Sequence, residues 1–297
     1  MAEKILDGVF EGGGVKGVAL IGALKRLDEE GVRFKRVAGT SAGAITAALY
    51  AAGYNINEIK DIICNKDFND FADVRNFFKK KLHMIILQFL PLLFSATGYG
   101  AFPTDKFYEW IKKLLADKGI TDFKSLKDIY LRVFAVDIVN QKLLQFDKDV
   151  SPDLEVADAV RQSMSIPLFF QAKYAKDSFV VDGGVLANYP IDTYNDQGGL
   201  TTTIGLKLIS GDAALPPSTP SNILAYILRI FETMQFANER IHVEKAEWAK
   251  TIPIPCGTIS PINFNLKEEE KKFLWDSGYS AAQKAIDEGI LTKEGRK

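Results

Sequence analysis

FEGGGVKGVALIGALKRLDEEGVRFKRVAGTSAGAITAALYAAGY, residues 10–54, holds two glycine-rich turns, and each runs into a segment with helical spacing. Residues 4–10 (KILDGVF) supply a short strand before the first turn. Val18, Leu20, Ile21, Leu24 and Leu27 then recur at helical spacing until Gly31. Phe34 to Ala38 form a second strand, and AITAALYAA an alanine-rich helix closed by Gly53. Two β-turn-α units in succession predict an α/β fold: a central, mainly parallel sheet with right-handed crossovers and helices on both faces, in three α/β/α layers.

Outward from this stretch, LRVFAVDIV and KLLQF flank an Asn-Gln turn and predict paired strands. SFVVDGGVLANYPI is an apolar strand broken at Asp182-Gly183-Gly184, and TTTIGLKLI is a further buried strand. Helices are predicted over PTDKFYEWIKKLLADKG with Thr104 as its cap, over Asp153 to Ser163, along SNILAYILRIFETMQFANERIHVEKAEWAK, and from about 267 to 288. Residues 54 to about 104 carry no clean period and read as short helices and loops, part of a variable insertion at about 54–120. No repeat or linker divides the chain, so residues 1–297 are expected to form one domain, with GDAALPPSTPS as a flexible loop.

Lys+Arg total 37 against Asp+Glu 38, a net charge of -1, so no global field recruits nucleic acid or anionic lipid, which leaves only a local basic patch. Cys64 and Cys256 are far apart and outside any CxxC spacing, which indicates small core residues rather than a disulfide or zinc framework. The start, MAEKILDGVFEGGG, lacks the basic and long apolar regions of a signal peptide. The longest apolar run, IILQFLPLLF at residues 85–94, is half the length of a spanning helix and contains Pro91. A cytoplasmic protein is expected.

Gly12-x-Gly14-x-x-Gly17 follows a strand and opens a helix, as a dinucleotide site would. That reading needs a carboxylate at the end of the second strand, which instead ends in Ala38-Gly39-Thr40. A P-loop fails as well, since Lys16 is followed by Gly17 and not by Ser or Thr. The second turn, Gly39-Thr40-Ser41-Ala42-Gly43, is G-x-S-x-G between strand and helix, where a serine is held on an exposed elbow with the positive helix end aimed at it. An acyl-transfer enzyme also needs backbone N–H donors for the developing oxyanion. Gly12, Gly13 and Gly14 stand at the end of the neighbouring strand to supply them. Against this stands the plainer reading that the glycines only permit tight helix packing.

A serine nucleophile needs a base. The chain has two histidines, His83 in the insertion and His242 in the charged stretch ERIHVEKAEWAK. The order Ser41, Asp182, His242 matches that of α/β-hydrolases, but that fold places several strands before its nucleophile and here there is one. Asp182 is the better base: it ends an apolar strand, and Gly183 and Gly184 allow the backbone to approach closely. An ordinary Asp-Gly turn is the competing reading.

EGGGVKG, GTSAG and the DGG turn, in that order, resemble the patatin-like phospholipases; VRQSMSIPLFF before the DGG turn and GGVLANYPI after it add to the likeness. The resemblance covers residues 5–53 and about 130–208 well and residues 54–120 weakly. It implies hydrolysis of lipid acyl esters by a Ser-Asp dyad, with Ser41 as nucleophile, Asp182 as base and Gly12, Gly13 and Gly14 as oxyanion hole. Lys16 would help to orient the glycine loop, while Asn188 and Pro190 would be structural. It also implies no calcium or other cofactor in this core, a lipid substrate and peripheral membrane contact. Residues 85–94 and the following FSATGYGAF would then form an apolar cap over the serine or a surface dipping into lipid, unless they pack inside the domain. The alternatives are a histidine-dependent esterase and an inactive member that binds lipid or protein.

Overall fold

The computed structural model describes residues 3–72, 99–175, 177–195, 203–209, 219–220, 226–227, 229–234 and 250–291. His83, His242, the apolar run at 85–94, and most of both the GDAALPPSTPS loop and the long helix read around residue 230 lie outside them.

With strands numbered in chain order, the main sheet runs Thr251–Pro255 (β10), Thr203–Ile209 (β9), Lys4–Phe10 (β1), Val32–Thr40 (β2), Tyr130–Asp137 (β4), Ser178–Asp182 (β8) and Lys173–Ala175 (β7). Lys142–Phe146 (β5) pairs with β4, and Gly100–Phe102 (β3) with Leu168–Phe170 (β6) in a separate ribbon. From β10 to β4 every neighbour is parallel. The β4–β5, β4–β8 and β7–β8 pairs are antiparallel.

Both glycine turns lie at the C-terminal ends of adjacent parallel strands. Helix α1 (Gly17–Glu29) leaves the first turn and α2 (Ala42–Ala51) the second, so the sheet brings together two stretches separated by a helix in sequence. Because side chains alternate along a strand, Phe10 joins the main core with Leu20, Ile21 and Leu24, whereas Val9 joins a smaller core with Ala38, Phe134 and Tyr194. The C-terminal helix, Glu268–Asp287, packs along α1.

Three local expectations change. Thr104 stands at the N-cap of Asp105–Asp117, but its hydroxyl makes no capping bond. The helix expected from Asp153 starts at Val156, since the preceding residues form turns and Glu155 bridges Asp122. TIPIP forms β10, a strand not anticipated because Pro253 and Pro255 argue against one; at the sheet edge the missing N–H groups cost little. Cys256 is buried and Cys64 half-buried, and neither forms a disulfide. Among the described residues no helix is long and apolar enough to cross a membrane.

Candidate active site

Ser41 connects β2 to α2 with φ 51° and ψ -119°, a backbone conformation that strains any residue with a side chain. The flanking glycines permit it. A Cβ on Gly39 would stand 2.3 Å from the carbonyl of Gly43, and one on Gly43 only 2.1 Å from the carbonyl oxygen of Phe10. G-x-S-x-G is therefore a steric requirement: the helix end sits directly against both strands. The amide of Ser41 donates to the Ser163 hydroxyl at 2.9 Å, and the Thr40 hydroxyl donates to the carbonyl of Ala187 at 2.9 Å.

The first turn is clamped. The Gly12 amide donates to the carbonyl of Asn188 at 3.0 Å, and Asn188 Nδ2 returns a bond to the carbonyl of Gly12 at 3.1 Å. The Lys16 amide closes the turn on the Gly13 carbonyl at 3.1 Å, and that of Val15 reaches the carbonyl of Pro261 at 2.9 Å. Gly14 has φ +54°, and a Cβ there would stand 1.9 Å from the Pro261 oxygen. The amides of Gly13 and Gly14 have no acceptor among the described residues. So of the three expected donors, Gly12 is spent on Asn188 and two remain. Lys16 is buried, and Gly17 lets α1 approach Ala42.

Beneath this turn lies an ion pair that the sequence reading missed. Glu11 is fully buried; its carboxylate meets Lys207 Nζ at 2.8 Å and also accepts from the amide of Leu208 on β9. The one available signal was a lone lysine inside the apolar TTTIGLKLI. Ser163 was likewise unassigned, although VRQSMSIPLFF was singled out.

Asp182 ends β8, opposite Ala135 and one residue beyond the Phe134 that pairs with Thr40. Its amide donates to the Ser165 carbonyl at 2.9 Å, and its Oδ1 accepts from the amide of Gly184 at 2.7 Å. Gly183 is required by contact, since a Cβ would meet the Phe134 carbonyl oxygen at 2.5 Å. The other oxygen, Oδ2, is buried with no hydrogen-bond partner. Burial pushes the Asp182 carboxyl up to about 7, against the Gly184 amide and the Ser41 hydroxyl, which both lower it. The Ser41 hydroxyl is thus near enough to lower the carboxyl, while Oδ2 itself accepts no hydrogen bond. A carboxyl titrating near neutrality beside a strained serine is suited to take and return a proton.

An apolar cavity opens over Ser41. It lies between Gly14 and Val18 of the first turn and helix, Ile45 of α2, and Phe107, Ile166 and Phe170. Among the described residues, no group of three or more His, Cys, Asp or Glu is arranged to hold a metal.

The chain has relatives among known proteins. The "Uncharacterized protein YqhO" of Bacillus subtilis is 37% identical over 283 residues, covering 92% of this chain and 95% of that protein. The "Probable lipid hydrolase 463L" of Invertebrate iridescent virus 6 is 27% identical, with 62% of this chain matching 61% of it; a "Lysophospholipase NTE1" of Yarrowia lipolytica is 26% identical, with 66% of this chain matching 12% of it. The chain thus spans only part of the relatives named for an activity. Among solved structures, VipD from Legionella pneumophila superposes with a TM-score of 0.62 at 20% identity, covering 96% of this chain and 67% of that one, a likeness of fold. The family model "Patatin-like phospholipase" matches residues 8–194, which contain both glycine turns, Ser41 and Asp182, and the chain belongs to that family.

Proposed function

We propose that this protein is a lipid acyl hydrolase whose residues 1–297 act as one catalytic unit, with Ser41 and Asp182 as its dyad. The observation that carries the reading is a serine on a strained elbow beside a buried carboxyl whose Oδ2 has no hydrogen-bond partner. In the first half-reaction Ser41 Oγ bonds to the ester carbonyl carbon as its proton passes to Asp182 Oδ2. The carbonyl oxygen, now negative, is held by the amides of Gly13 and Gly14. Collapse of this intermediate breaks the ester C–O bond, and Asp182 gives its proton to the departing alkoxide. A water then loses a proton to Asp182 and attacks the acyl-serine. The C–O bond to Ser41 breaks, the fatty acid leaves, and the proton returns to Ser41 Oγ. No imidazole and no metal takes part. The lipid partner is met at a membrane surface, to which the protein binds peripherally.

The test is hydrolysis of a medium-chain fatty ester by the wild type, Ser41→Ala, and a variant carrying His83→Ala and His242→Ala. Turnover that Ser41→Ala abolishes and the histidine-free variant keeps is the expected result. Loss in a folded histidine-free variant would move the base to an imidazole.

A further inference from the structure

Glu11 is the last residue joined to the sheet before the two amides that face the oxyanion. Phe10 pairs with Leu206, the Glu11 amide extends that ladder to the Leu206 carbonyl at 3.1 Å, and Gly12 then turns off toward Asn188. The orientation of Gly13 and Gly14 therefore depends on how Glu11 is held.

Its carboxylate is held from two sides of the turn. On one side Oε2 accepts from the Leu208 amide, while the Leu208 side chain packs against Gly13, where a Cβ would stand 2.4 Å from Leu208 Cδ1. On the other side Oε1 accepts from Lys207 Nζ at 2.8 Å. It also lies 3.5 Å from Nδ2 of Asn188, the nitrogen that bonds the Gly12 carbonyl. Lys207 Nζ in turn sits 4.9 Å from the centre of the Tyr189 ring, whose hydroxyl shares a hydrogen bond with that of Thr251 at 2.8 Å. One carboxylate thus joins β9, which packs against Gly13, to residues 188–189, which clamp Gly12.

Stability alone does not account for the pair. Both side chains are buried, and the desolvation of two such charges commonly outweighs their attraction, so apolar residues of similar size would serve a core as well or better. Apolar residues cannot supply directed, charge-assisted bonds to the Leu208 amide and to Asn188. We propose that Glu11, locked by Lys207, is a positioning residue that aims the amides of Gly13 and Gly14 at the oxyanion. The inference rests on the hydrolytic reading above and deepens it. Both side chains act through the backbone of the turn. A neutral pair suits this place, since a lone carboxylate beside the turn would oppose the negative charge that forms on the ester oxygen.

The experiment uses two variants. Glu11→Gln/Lys207→Met removes both charges at nearly constant volume, and Glu11→Asp keeps the pair but shortens its reach to the Leu208 amide. Each is compared with the wild type in kcat and KM for the medium-chain fatty ester. Inhibition is measured with a trifluoromethyl ketone of the same chain and with the alcohol made by reducing that ketone. Ser41 Oγ adds to the ketone carbon as its proton passes to Asp182, so the ketone oxygen becomes an oxyanion; the alcohol forms none. In the double variant kcat should fall about a hundredfold with KM within about twofold, and the ketone should weaken in step with kcat/KM while the alcohol binds as before. Glu11→Asp should show the same pattern at about tenfold. A folded double variant with wild-type kcat would overturn the proposal. Equal weakening of ketone and alcohol would also overturn it, because the cavity and not the donors would then have changed. If the double variant did not fold, Glu11→Asp would decide by the same readouts. A wild type that neither turns over the ester nor binds the ketone more tightly than the alcohol would bring down the hydrolytic reading itself, a failure distinct from that of the pair.

Discussion

The backbone amide of Ser41 donates to the hydroxyl oxygen of Ser163 at 2.9 Å, and both residues are buried. A positive φ on a side-chain-bearing residue costs on the order of 1–3 kcal/mol and must be held by its surroundings. Ser163→Ala removes one of those holds without touching the acyl cavity. The expected outcome is a fall in kcat of about tenfold with KM nearly unchanged, since geometry at the nucleophile is lost and ground-state binding is not. Steady-state kinetics on one soluble ester decide it, and an unchanged kcat would mean the glycines alone keep the elbow in place.

The acid limb of the pH profile should belong to Asp182. Burial holds its carboxyl at about 7, and the dyad works only with that carboxyl ionised. Activity as kcat/KM should therefore rise with pH and level off above a midpoint near 7. A profile flat from roughly pH 5 to 9 would remove Asp182 from the role of base.

Stability should show the same group with the opposite slope. Because its folded pKa lies above the ordinary carboxyl value, the folded protein keeps a proton that the unfolded chain releases. That contribution is full below about pH 4 and is lost as pH rises through about 7. Asp182→Asn cannot ionise, so its advantage over the wild type should grow across this window to as much as about 4 kcal/mol. Thermal melts at several pH values test the widening gap, and parallel curves would refute it.

Gly43→Ala should fail structurally rather than catalytically. Its Cβ would press on the Phe10 carbonyl oxygen at 2.1 Å, backbone against backbone, with no side-chain end free to swing away. A loss of about 3 kcal/mol or more is expected, read from the urea midpoint. A variant as stable as the wild type would mean the helix end is not held against the strand as described.

Much of the site was legible because its parts are local. A glycine turn between strand and helix, a serine in G-x-S-x-G and an aspartate ending an apolar strand can each be recognised within a few residues. What escaped reading depends on distant partners. Ser163 is an ordinary helix-end serine until α2 brings Ser41 to it, and Asn188 clamps Gly12 only because the sheet places their loops side by side. Glu11, just past the end of β1, and Lys207 on the adjacent parallel strand β9 are almost two hundred positions apart, so neither predicts the other. The same distance effect hid the partner of the Gly12 amide: it is a carbonyl that every residue carries, and no sequence pattern marks it. The strand TIPIP was hidden by its prolines, whose tolerance depends on being at the edge.

Ser41 and Asp182 meet across more than a hundred positions of chain, through β4, which pairs with the strand of each. Long-range pairing of this kind forms late and slowly. The Ser41 turn can fold early with its own strand and helix, but the proposed dyad is incomplete until the antiparallel β8 docks. Recovery of hydrolysis during refolding would therefore lag behind recovery of helix signal, and the first catalytic turnover would mark completion of the sheet.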